Sequence, residues 1–150
     1  MKIPYLLSVL GLVLGMFIAI LFGVNEHMFK DRISAGLENN QKIQSIEDPE
    51  ARKAKIAKES SKNWRYYQRF HFHSTGIGSM SLALLIFLSF VGAPKKQKKN
   101  LAYMISVGGF LYPFVGLFAA EYGPEMGRHE AKEAFQFFAW GGGVMLLGSI

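Results

Sequence analysis

Four stretches without a charged side chain constrain this chain more than any other feature: Ile3 to Asn25, Phe70 to Pro94, Asn100 to Ala120, and Ala134 to Ile150. A bilayer core of about 30 Å is crossed by about 20 helical residues, each rising about 1.5 Å. A water-soluble domain of 150 residues has too little interior to hide four such stretches, so the pattern argues against a soluble enzyme. It predicts an all-α integral membrane protein, a four-helix bundle with spans near 4–24, 75–93, 101–120 and 131–150. One helical extramembrane loop, 25–74, completes the single membrane domain. The mean hydropathy of only +0.16 averages an apolar majority with that charged loop.

Each span has its own signals. The first follows Met1-Lys2 as a signal peptide would, but its apolar run is too long for a signal core. Phe22-Gly23-Val24-Asn25 also lacks the small-residue cleavage pattern, so a retained helix is expected. Pro94 stops the second span. Pro113 lies in the middle of the third and should kink it. Gly123-Pro124-Glu125 resembles a helix start with proline at the first helical position, leading into the fourth span. Short connections make consecutive helices antiparallel neighbours. Gly11 and Gly15, the Gly76–Ser81 cluster, Gly108-Gly109 with Gly116, and Gly141–Gly143 supply the small residues that let membrane helices approach closely.

In the loop, Asp48-Pro49-Glu50 is a helix start: an N-cap aspartate, proline at N1, and an acid at the positive helix end. Ala51, Ala54, Ile56, Ala57, Ser60, Trp64 and Tyr67 then recur at three- and four-residue steps, predicting an amphipathic helix that feeds into the second span. Its Ile56–Trp64–Tyr67 face is a candidate docking surface for a partner. A weaker helix is expected over Met28 to Ile43.

The net charge of +6 suits nucleic acid in a soluble protein, but in a membrane chain excess Lys and Arg mark orientation and anionic headgroups. No nucleic-acid partner is therefore expected; the bilayer and other membrane subunits are. Raw counts place twelve of the 17 basic residues on the loop side and five on the terminal side. Against that count, Lys95-Lys96-Gln97-Lys98-Lys99 is dense, and Lys2 flanks the usually dominant first span. These favour cytoplasmic termini and an outward loop, in a plasma (inner) membrane.

Cysteine is absent, which removes disulfides, thiolate metal sites and cysteine nucleophiles. There is no phosphate-binding glycine loop after a strand and no Gly-x-Ser-x-Gly elbow. The topology does bring His27, His71, His73, Glu121, His129, Glu130 and Glu133 to one rim of the bundle. Imidazoles and carboxylates are ligands of transition metals, and paired imidazoles ligate haem. His71 and His73 lie about 200° apart around a helix, and the phase favours His71 as the inward one. His27, His71, His129 and Glu133 are thus candidate metal ligands, with Glu121 and Gln136 orienting them. The same residues are equally ordinary at a membrane interface. Two functions of different class follow: a non-catalytic subunit or scaffold of a membrane complex, slightly favoured, and a metal- or haem-binding redox or metal-handling protein.

Overall fold

The structure, a computed structural model, describes residues 2–150, and every regular element among them is helical. The order is α1 (Lys2–Glu38), α2 (Gln41–Gln44), α3 (Pro49–Phe90), α4 (Lys95–Leu111), α5 (Phe114–Met126), α6 (Arg128–Ala134) and α7 (Gln136–Ser149).

The loop expected over 25–74 turns out to be mostly a continuation of the flanking helices. α1 runs on past its apolar stretch and changes direction at Asn25 (φ −151°, ψ 69°). There the Asn25 side chain accepts the Met28 N–H at 3.2 Å, capping the helix that follows. α3 starts at the Asp48-Pro49 signal, with Asp48 Oδ1 accepting the Glu50 N–H at 3.0 Å. It then continues for 42 residues with no break at Ser74–Gly76, a rod of about 63 Å at the usual rise. Arg52 holds the tip between α2 and α3 by donating to the carbonyls of Gln44 (3.1 Å) and Ile46 (2.6 Å).

Three helical stretches are long and apolar enough to cross a membrane: Lys2–Glu38, Pro49–Phe90 and Lys95–Met126. The last contains the break at Pro113, where the missing N–H ends α4 and a turn at Tyr112-Pro113 starts α5. The expected fourth membrane-length helix is not clearly present. α6 and α7 are separated at Phe135 (φ −108°, ψ 16°), and α7 has only 14 residues, about 21 Å. Pro124 does not start a helix either. It lies inside α5, and the chain reverses at Gly127 (φ +104°), a conformation that glycine adopts without strain.

α1 packs antiparallel to α3, and α4 antiparallel to α7, with α5 against α3 and α1 against α4. Burial reverses along the first pair. In the apolar half of α1 the buried residues are Pro4, Ser8, Gly11 and Gly15, while Leu6, Val13, Phe17 and Ile20 are exposed. The apolar half of α3 buries Ser74, Gly78 and Ser81, then Leu85 and Leu88 in a small cluster with Ala102, and exposes Phe72, Met80, Phe87 and Phe90, the last by 83%. Beyond Asn25 and before His71 the order is the usual one. Phe29, Ile33, Leu37, Ile43, Tyr66 and Tyr67 form a core with Ala119 and Ala120, and the surface is charged.

Small residues set the spacing of the first half. A methyl on Gly15 would stand 2.7 Å from Thr75 N, and one on Gly78 the same distance from Leu12 N. Nothing lies within 4 Å of such a methyl on Gly76 or Gly143, so only part of the glycine set expected at interfaces is at one.

Candidate functional site

The charged half of the molecule is a lobe built on the ends of α1 and α3, α2, the end of α5, and α6. Three polar links hold it together. Asn40, buried at the end of α1, donates Nδ2–H to the carbonyls of Pro124 (2.9 Å) and Glu125 (2.8 Å). These are C-terminal carbonyls of α5 that have no partner in their own helix. The Tyr67 hydroxyl donates to Glu121 Oε2 at 2.9 Å, and Arg32 pairs with the other oxygen of that carboxylate. Glu59 accepts from Arg128 Nε at 2.7 Å and from Lys62 Nζ at 3.1 Å.

Between these links lies a cavity of ≈ 580 Å³, walled by α2, α3, the α5–α6 turn and α6. That volume suits a small molecule. Lys55, Glu59 and Asn63 enter it from successive turns of α3, and Arg128, Glu130 and Lys132 from α6. Gly123 and Gly127 keep the opposite wall low. Asn63 is fully buried (0% exposed) and donates Nδ2–H to the Glu59 backbone carbonyl at 2.9 Å. That bond fixes the amide orientation and leaves Oδ1 without a partner, packed against Gly123 beside the Arg128 stem.

The electrostatics of the cavity follow from its pairs. Partial burial raises the Glu59 pKa, but the hydrogen bonds from Arg128 and Lys62, with their charges, outweigh it, so Glu59 is held below its ordinary value. The Arg128 guanidinium is displaced upward, first by its hydrogen bond to Glu59 and against the cost of burial. Both groups are ionised at neutral pH. Glu130, at the rim, is lowered chiefly by its hydrogen bond from Lys42.

The residues singled out from the sequence are distributed as follows. His27 is exposed just past the Asn25 kink. His71 is half-buried, with Nδ1 2.8 Å from the Gly15 carbonyl and the Phe22 and Phe72 rings nearby. His129 and Glu133 meet at 3.4 Å on the exposed face of α6. Gln136 is exposed at the start of α7 rather than turned inward. Among the described residues no group of three or more His, Asp or Glu side chains is arranged to hold a metal ion. The structure brings His129 to Glu133, and Glu121 to Tyr67, but does not gather the four candidate ligands into one cluster.

Ile56, Trp64 and Tyr67 do share a face, and α1 covers it. Tyr67 is buried, and Trp64 packs edge-on to Phe22 at 4.9 Å between ring centres, with Ile56 half-buried against the same core. Glu59 and Asn63 were not singled out from the sequence. Their signal was phase: with Ile56, Tyr67 and Phe70 they recur every three to four residues, placing a carboxylate and an amide on the buried stripe of an amphipathic helix.

No protein-family model, curated protein or solved structure matches this chain.

Proposed function

We propose that the chain is a four-span integral membrane protein, with α7 as a short fourth span, acting as a non-catalytic subunit or scaffold of a membrane complex. The observation that carries the membrane reading is the reversal of burial along the apolar half of α1 and the facing Ser74–Ser81 segment of α3. In water, burying glycine and serine while exposing phenylalanine and leucine is unfavourable by roughly 1.5–3 kcal/mol per large side chain. In lipid it is the normal arrangement, because tails solvate the large residues and small ones permit close backbone contact. The boundary falls near Asn25, His71, Glu121 and Phe135, so the lobe stands on one side and both termini on the other. The scaffold reading rests on the three polar links, Asn40 to α5, Tyr67 and Arg32 to Glu121, and Glu59 to Arg128, which join the elements of the lobe into one body.

The absence of cysteine makes single-cysteine topology mapping the direct test. Glu47→Cys, Gln97→Cys and Ile150→Cys, each alone, are labelled in sealed plasma-membrane vesicles with a membrane-impermeant maleimide. Four spans require positions 97 and 150 to label from one side and position 47 from the other. Labelling of 150 from the side of 47 refutes the fourth span, and labelling of all three from both sides refutes insertion. Gentle solubilisation at native abundance then tests the subunit role: a monomer of 16.8 kDa in its micelle contradicts it, and an assembly of fixed stoichiometry supports it.

A further inference from the structure

We propose that the lobe cavity binds a hydroxylated phosphate ester, with Lys55, Lys132 and Arg128 taking the phosphate and Glu59 and Glu130 accepting the hydroxyls. The cavity wall carries Lys42, Lys55, Arg128 and Lys132 against two carboxylates, an excess of positive charge that calls for an anion. Lys132 enters no ion pair among the described residues, and Lys55 reaches Glu59 Oε1 only at 3.8 Å, so both ammonium groups are available. A bare inorganic anion leaves the rest of the wall unmatched. Glu59 and Glu130 are ionised acceptors, and ionised acceptors make strong, short bonds with hydroxyls. Asn63 Oδ1 adds an unpartnered acceptor beneath the Arg128 stem. A buried acceptor left unpaired is unfavourable, and this one lies in the cavity wall beside the Arg128 stem.

This chemistry has two sources. Gly123 in the cavity wall lies within one turn of Ala120, the end of an uncharged stretch, so a phosphoglycerol lipid headgroup is within reach at the rim. A free polyol phosphate in solution offers the same groups. Only the lipid source rests on the membrane reading above.

The test uses the full chain in phosphatidylcholine nanodiscs. Glycerol 3-phosphate is titrated by calorimetry, and thermal unfolding is compared in nanodiscs with and without phosphatidylglycerol. Saturable binding of glycerol 3-phosphate without a phosphatidylglycerol effect identifies a soluble ligand; stabilisation by phosphatidylglycerol identifies the headgroup. Either effect should weaken about tenfold or more in Lys55→Gln/Lys132→Gln, which removes two charge-assisted contacts, and stay unchanged in Lys95→Gln/Lys96→Gln. Both lysines of the first pair are exposed, and the unfolding temperature of that variant without either probe reads its fold separately from binding. No response to either probe, or equal loss in both variants, overturns the proposal.

Discussion

Asn40 and Pro124, 84 positions apart in sequence, are joined by a hydrogen bond of 2.9 Å between the Asn40 amide and the Pro124 carbonyl. The same amide reaches the Glu125 carbonyl, and its oxygen accepts the Lys42 N–H at 3.0 Å. One side chain therefore caps the start of α2 and the end of α5 together. Asn40→Ala removes all three bonds and strands two carbonyls. It should cost about 1–3 kcal/mol, read as a lower unfolding temperature in detergent; Asn40→Asp, which keeps only the N-cap acceptor, should recover little of it.

The α1–α3 contact makes a comparison between glycines informative. Gly15→Ala forces a methyl to 2.7 Å from Thr75 N and 2.9 Å from Ser74 Cβ, so the helices must separate, at about 1–3 kcal/mol. Gly76→Ala meets nothing within 4 Å and should be neutral or slightly stabilising, because alanine favours helix. Equal unfolding temperatures for the two variants would contradict the observed helix register.

The Glu59–Arg128 pair predicts a pH dependence. Folding lowers the Glu59 pKa, so the pair adds stability above the unfolded carboxylate value of about 4.3. That stability is lost as pH falls through the lower folded value. Glu59→Gln should cost about 1–2 kcal/mol at pH 7, and the gap from the parent should close as pH falls through and below the lowered Glu59 pKa. A gap that does not vary with pH would assign the loss to packing.

His71 Nδ1 stands 2.8 Å from the Gly15 carbonyl, which only accepts. In the neutral ring the proton must therefore sit on Nδ1 and leave Nε2 with the lone pair. Nitrogen NMR of the labelled protein should report the Nδ1–H tautomer for His71. The more common Nε2–H form would place the ring the other way round.

How much of this was legible in the sequence varies by element. Asp48-Pro49-Glu50 announced the start of α3 because capping is local: the aspartate, the proline ring and the helix dipole act within a few residues. Pro113 likewise announced a break. Pro124 misled, because the first-position signal of a helix start is also compatible with a proline in the final turns of α5, and the reversal came instead at Gly127. The fourth apolar stretch was visible as composition, yet composition does not fix where a helix is interrupted, and Phe135 shortens α7.

The candidate site divides in the same way. The phase of α3 put Ile56, Trp64 and Tyr67 on one face, but the residues covering that face, Phe22 and Phe29, come from another helix and are not specified by α3. In the sequence, topology gathers the histidines to one rim; in the structure His71 packs against the Gly15 carbonyl and His129 sits beside Glu133 on α6, so they form no cluster among the described residues.

By itself, then, the sequence determined what depends on neighbours along the chain: helical periodicity, the uncharged stretches, the caps and the proline break. The tertiary structure decided what depends on contacts across it. Those are which glycines meet a backbone, which carbonyls Asn40 caps, and how Glu59, Asn63 and Arg128, up to 69 positions apart, come to wall one cavity. Pairings of that kind are selected by the geometry of packed helices, and no local propensity encodes them.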